Sequence, residues 1–189
     1  NSVDLISGGS YLLFNSIAGE DGDELWRTDL TTGGTYMLKN LYTEYNTSRT
    51  PSTFTTHNGN TYFITGDYHF DLWKTDGTPG GTTRIKTFTS TSYRIYKMYS
   101  LTTGLWFIFE NGNNIEIWKS DGTTAGTVNI KTITDGANYI DQNHFKSVKY
   151  NNKIYFNMGD NTAGIEPWVS DGTSAGTFML RNIAGGSTS

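Results

Sequence analysis

Acidic residues return at one place in this 189-residue sequence, two positions ahead of a tryptophan. Glu24, Asp71, Glu116 and Glu166 precede Trp26, Trp73, Trp118 and Trp168. A second acid stands in the stretch before each of them, namely Asp21, Asp67, Glu110 and Asp160. Carboxylates set in loops suit Ca²⁺, which takes about six to eight oxygen ligands. The segments "GEDGDE" (19–24) and "GDNTAGIE" (159–166) are the best candidates, with Asp21, Asp23 and Glu24, or Asp160 and Glu166, as ligands. Neither has the full spacing of an EF-hand loop. The competing expectation is that these acids accept backbone N–H bonds at corners or stay solvated. No cofactor is required, and Ca²⁺ is the one the residues could accept.

Other side chains carry weaker signals. His57, His69 and His144 are unevenly spaced and match no HExxH-like pattern, so "DYHFD" (67–71) is the one His–acid cluster. Tyr42, Tyr45, Tyr68, Tyr93, Tyr96 and Tyr139 gather in the longer connections, such as "NLYTEYNTSRTP" and "TFTSTSYRIYKM". They are the candidate ligand-binding residues, because aromatic rings can stack on sugars; the competing role is packing between neighbouring sheets. Asn46-Thr47-Ser48 is the only glycosylation sequon.

The composition says what must position these groups. Hydrophobic residues make up 35% and charged residues 17%, while aromatics at 14% are too many for a disordered chain. Thr, Tyr, Phe and Trp favour pleated strands, and Gly, Asn and Asp favour turns, so the chain is all-β. A net charge of −4 without a basic stripe excludes nucleic acid as the expected partner. No apolar run approaches the ~20 residues needed to span a bilayer, so membrane insertion is not expected. The absence of cysteine excludes disulfides and thiolate chemistry, though not secretion. The chain starts at Asn1 with no Met or signal peptide, as expected of a mature form or an excised segment.

One unit is written four times. The tryptophans named above lie 47, 45 and 50 residues apart, and each interval holds four short runs bounded by turn residues. In the second unit these are "STFTTH", "TYFITG", "DLWKT" and "TTRIKTF". Runs one and two are joined by "GG", "NG", "TTG" or "NN", which are hairpin signals. The second run is nearly continuous in apolar residues, as in 105–109, which a strand buried on both faces allows. The fourth run alternates and carries Lys39, Lys86, Lys131 or Arg181, cations that guard an outer edge. Four-stranded blades around an axis are the usual solution at this period.

The repeated segment reads as a corner. Each Trp offers apolar area to an adjacent blade. Asp29, Asp76, Asp121 and Asp171 can accept amide bonds two residues on, and Gly77, Gly122 and Gly172 permit positive φ. The first copy has Leu30 there, so its turn is expected to be built differently or strained. A second glycine (Gly34, Gly81, Gly126, Gly176) then returns the chain to the fourth strand. A catalytic group is rarely needed four times in one chain, whereas a corner is needed in every blade.

The segments "IEIWKSDGTTAGTVNIKTI", "IEPWVSDGTSAGTFMLRNI" and "DLWKTDGTPGGTTRIKTF" resemble the ELWxxDGT repeat of large bacterial secreted and surface proteins. "DELWRTDLTTGGTYMLKNL" keeps ELW and loses the DG, and "NGNTYF" resembles the family's "NGxLYF" hairpin. The resemblance covers essentially the whole chain and implies a β-propeller-like fold at an extracellular or cell-surface location. We therefore expect one repeat domain of four blades at about 1–44, 45–90, 91–136 and 137–185, with 186–189 as a tail. No blade is split, so closure would rest on blade-face packing. Half of an eight-bladed ring, or a stretch of a longer array, is the alternative. The expected function is non-enzymatic adhesion or self-assembly through the loops, with copies of itself, neighbouring repeats or an extracellular glycan as partners. A glycan-binding lectin is the alternative. A propeller glycoside hydrolase ranks behind it, needing two carboxylates roughly 5–9.5 Å apart. The corner also resembles the Asp-box hairpin of sialidases. Arg27, Arg84 and Arg181 lie on third or fourth runs rather than converging on a substrate, and no catalytic residue is assigned.

Overall fold

The computed structural model describes residues 5–17, 23–41, 50–66, 69–89, 93–138, 145–160 and 162–183. It divides into two compact units, Asn1–Thr89 and Ser90–Ser189. The first holds a blade of β1 (Leu5–Ser7), β2 (Leu12–Ile17), β3 (Asp23–Thr28) and β4 (Tyr36–Lys39). Its second blade has β5 (Ser52–His57), β6 (Asn60–Thr65), β7 (His69–Thr75) and β8 (Thr83–Thr89). The other unit holds β9 (Tyr93–Leu101), β10 (Gly104–Asn111), β11 (Asn114–Ser120) and β12 (Val128–Ile133). Its last blade has β13 (Ser147–Tyr150), β14 (Lys153–Asp160), β15 (Gly164–Ser170) and β16 (Phe178–Met179). Every blade is an antiparallel meander in sequence order. Among the described residues the only helical piece is a 3-10 turn, Gly136–Asn138.

Local chemistry sets these elements. Asn58 and Gly59 both take positive φ (47° and 76°), as do Asn151 and Asn152 (46° and 57°). Two consecutive positive φ values give the turn whose twist matches antiparallel strands. The continuous apolar run of β10 is buried from Gly104 to Phe109, as its lack of alternation requires.

The fourth strands hold a feature the alternating pattern does not reveal. Leu25 pairs with Lys39 but Trp26 with Met37; Leu72 pairs with Lys86 but Trp73 with Arg84; Ile117 pairs with Lys131 but Trp118 with Asn129. Each of these three blades thus carries a bulge opposite its Trp, and the extra residue, Leu38, Ile85 or Ile130, is buried. A bulge re-aims side chains. In the third blade it turns Lys131 inward as well, so that its ammonium lies 5.9 Å from the Trp168 ring centroid. The last blade departs from expectation. β16 ends at Met179, so Arg181 lies beyond the strand it was expected to guard.

Within each unit the tryptophan face of the later blade packs on the opposite face of the earlier one. Leu13, Leu25, Leu38 and Leu41 enclose Phe63 and Trp73 in the first unit. In the second, Trp106, Ile108, Ile117, Ile130 and Ile133 meet Ile154, Phe156 and Trp168. Burying a side chain of this size contributes ~1.5–3 kcal/mol, so these seams hold each pair together.

Candidate functional site

The four repeated corners share one hydrogen-bond pattern. At the second, Asp76 Oδ1 accepts the Thr78 amide at 2.9 Å and the Thr78 hydroxyl at 2.7 Å. Gly81 N donates to Thr78 Oγ1 at 2.9 Å. Thr82 Oγ1 donates to the Thr78 carbonyl at 2.7 Å and lies 2.8 Å from Thr75 Oγ1, which accepts the Gly77 amide at 3.0 Å. A hydroxyl has one proton. Thr82 spends its own on Thr78 O, so the Thr75 hydroxyl must donate to Thr82. The protons therefore run one way, from Gly77 N–H through Thr75 and Thr82 to the Thr78 carbonyl. Asp121 repeats the set with Ser120, Thr123, Gly126 and Thr127. Asp171 does so with Ser170, Thr173, Gly176 and Thr177.

The first copy keeps every one of these bonds around Asp29. Its turn is not built differently. Leu30 instead takes φ 72°, where Gly77, Gly122 and Gly172 have 85°, 88° and 87°. Strain is the outcome, since left-handed backbone in a β-carbon residue costs roughly 1–2 kcal/mol.

The second glycine has a more specific duty than returning the chain. A β-carbon at Gly34, Gly81, Gly126 or Gly176 would sit 1.9–2.1 Å from the Asp carboxylate of the same corner. The carboxylate occupies the space a side chain would need. All four Asp carboxyls are held below the usual carboxylate range, first by the Thr hydroxyl bond. They stay ionised near neutrality, so none has a proton to give as a general acid.

The acids ahead of each Trp are inside the blades. Glu24 is fully buried, and its Oε2 accepts the Leu41 amide at 2.5 Å; Glu166 Oε2 accepts the Ile183 amide at 2.8 Å. Both amides lie 17 residues on, just past the end of a short fourth strand. In the middle blades the fourth strand is longer and pairs at this position. Asp71 accordingly turns to the Thr87 hydroxyl at 2.5 Å and to Arg84 at 3.6 Å. Glu116 takes the Asn111 amide at 2.8 Å and the Trp118 indole N–H at 2.7 Å.

For Ca²⁺, the described oxygens fit poorly. Glu24 and Glu166 face backbone amides, and Asp23 Oδ2 accepts the Thr50 hydroxyl at 2.8 Å. Among the described residues no three His, Asp or Glu converge as a metal would require. Asp21 lies outside the described residues, as does the side chain of Asp160.

Of the candidate ligand-binding tyrosines, Tyr96 is half-buried. Its ring lies 5.1 Å from that of Phe145 and its hydroxyl 3.2 Å from Glu110 Oε2. Burial and the Glu110 charge push its pKa upward. Tyr42, Tyr45, Tyr68 and Tyr139 lie outside the described residues, as do His144, the 46–48 sequon and the side chains of His69 and Tyr93. Among the described residues, a cleft of about 410 Å³ runs along 131–135 to Thr162 and Trp168. Asp135 is the one acid in its lining, and Lys131 covers the Trp168 ring.

Several seam residues escaped sequence reasoning. Arg27 Nη1 donates to the Gly77 carbonyl at 2.8 Å, with the guanidinium 4.7 Å from the Tyr11 ring and 5.6 Å from that of Tyr36. Trp106, off the repeat, donates from Nε1 to Ser170 Oγ at 3.0 Å. Thr103 Oγ1 donates to the Asp171 carbonyl at 3.2 Å, and Asn152 brackets Thr102 with bonds of 2.8 and 2.6 Å. In both units the earlier blade thus holds the corner of the later one. The repeat pattern hides these groups because they differ from copy to copy.

No protein-family model matches the chain, and no curated protein is similar to it in sequence. Solved structures share its fold. Prolyl oligopeptidase B from Galerina marginata aligns over 95% of this chain and 26% of its own, with TM-score 0.54 and 15% identity. A puromycin hydrolase aligns over 95% and 28%, with TM-score 0.53 and 13% identity. An exo-beta-1,3-galactanase from Phanerochaete chrysosporium aligns over 96% and 49%, with TM-score 0.50 and 9% identity. The chain spans about half of the galactanase and about a quarter of the others. At these identities the likeness is one of fold: four four-stranded antiparallel sheets of β-propeller type.

Proposed function

We propose that this chain is a non-enzymatic interaction module of an extracellular or cell-surface protein with ELWxxDGT repeats. It serves adhesion or self-assembly through surfaces other than its repeated corners. The observation that supports this reading most is the sameness of those corners. Each invariant Asp, Thr and Gly is used up in the same closed set of bonds, four times over. Chemistry would need an acid pair in unlike environments, with one member's pKa raised, whereas these four carboxylates are all lowered by the same cause. The acid ahead of each Trp is likewise occupied within its own blade.

The test is to immobilise the chain and offer it a glycan array and, separately, soluble chain, while assaying aryl glycosides for hydrolysis. Saturable binding without hydrolysis is expected. Binding to either partner should survive Asp121→Ala, and glycan binding should fail when residues 42–49 are replaced by a Gly/Ser spacer. Glycan binding alone would select the lectin. Hydrolysis abolished by changing one acid would overturn the reading.

A further inference from the structure

We infer that the outer face of the fourth blade docks the tryptophan face of the first blade of a second copy, joining chains head to tail. This deepens the self-assembly arm of the function proposed above.

The argument is register. Phe107 pairs with Trp118 and Phe156 with Trp168, so positions counted from the Trp are equivalent between blades. One residue before the Trp, and twelve and fifteen after it, stand three apolar side chains. In the first blade they are Leu25, Leu38 and Leu41, and they pack on Phe63 and Trp73. In the third they are Ile117, Ile130 and Ile133, and they pack on Phe156 and Trp168. In the fourth they are Pro167, Leu180 and Ile183, with Leu180 48% and Ile183 71% exposed. Ile165 and Val148, on the same face, are 42% and 57% exposed. Together these residues line an open groove of about 500 Å³.

Two details argue that the groove is built for an occupant. Glu166 fastens the Ile183 amide as Glu24 fastens that of Leu41, at the same 17-residue separation. In the first blade this clamp sets Leu41 beneath the aromatic face of the next blade. In the fourth blade it holds an isoleucine in the open, where water alone gives no reason to fix it. The Leu180 amide is also tied down, by the Pro167 carbonyl at 2.8 Å.

The occupant follows from what covers this face elsewhere. Phe63 and Trp73, or Phe156 and Trp168, are stacked pairs whose centroids lie 6.1 and 6.4 Å apart. Phe14 and Trp26 form the matching stack in the first blade, at 6.3 Å, and both are only half-buried. One end of the repeat therefore shows the face that the other end lacks. Such a contact between unlike surfaces is heterologous, so it closes into a ring or runs on as a filament.

The experiment is sedimentation equilibrium on the whole chain and on two variants. Leu180→Asp/Ile183→Asp spoils the groove at exposed positions, and Leu12→Asp spoils the opposite end beside the Phe14–Trp26 stack. The wild type is expected to self-associate with rising concentration, and each variant alone to associate at least ~10-fold more weakly. An equimolar mixture should recover a 1:1 pair of twice the chain mass, because one intact face of each kind remains, and circular dichroism confirms that both variants fold. A wild type that stays monomeric overturns the inference. Association that persists in both variants, or a mixture that forms no pair, overturns it while leaving the interaction-module reading intact.

Discussion

Replacing Leu30 with glycine should make this protein more stable, although it deletes a large apolar side chain. Leu30 is 83% exposed, so truncation forfeits almost no burial. Its φ of 72° is left-handed, the region in which the other three corners use glycine. Relief of that conformation is worth roughly 1–2 kcal/mol. Glycine also widens the unfolded ensemble, which offsets about 0.5–1 kcal/mol. The expected net gain is therefore ~0.5–1 kcal/mol, with the Leu30 amide bond to Thr28 Oγ1 retained. In a cooperative unit of this size that raises the midpoint by roughly 2–8 °C. Differential scanning calorimetry on the wild type and Leu30→Gly measures it, with Gly77→Ala as the converse. That change imposes the same backbone penalty and sets a β-carbon 2.3 Å from the Tyr11 ring, so it should lower the midpoint by more than Leu30→Gly raises it. If Leu30→Gly destabilises, or Gly77→Ala is neutral, the corner does not have the shared backbone described above.

Three further outcomes follow from the same geometry. Asp76→Ala and Gly81→Ala should cost similar stability in urea titration, and the double variant little more than either, because the β-carbon at 81 and the carboxylate compete for one space. The corner carboxylates have folded pKa values below their unfolded ones, so their stabilisation is full above about pH 3.9 and is lost as pH falls through the folded values. The urea midpoint should accordingly drop on acidification below pH 4, and less steeply in Asp76→Asn/Asp171→Asn. Trp118→Phe strands Glu116 Oε2 and should cost ~1–3 kcal/mol more than Trp168→Phe, because among the described residues the buried Trp168 indole nitrogen has no partner to lose.

The period, the hairpins and the corner could all be read from residue types, because each rests on contacts within a few positions. Asp, Thr and Gly at fixed offsets report a local turn, and the continuous apolar stretch of β10 reports burial on both faces. The purpose of the second glycine was not legible, since it depends on where a carboxylate five residues earlier comes to rest. The acids before the tryptophans were ambiguous for the opposite reason. Their partners are a backbone amide 17 residues on, a threonine or an indole, and an amide leaves no trace in side-chain patterns. The bulge beside Trp26, Trp73 and Trp118 was equally hidden, because Leu38, Ile85 and Ile130 keep the alternation that a regular strand would show. Arg181 was assigned to a strand by analogy with Lys131, yet β16 stops two residues short of it.

The central claim is that the repeated residues are scaffold, equivalent in all four copies. Native-state hydrogen exchange at Thr31, Thr78, Thr123 and Thr173, whose amides all donate to the aspartate of their corner, tests it most directly. The account predicts that all four amides are protected and that each loses protection when its own Asp is changed to Ala. One corner that exchanges freely, or whose protection changes only when a ligand is added, would contradict it.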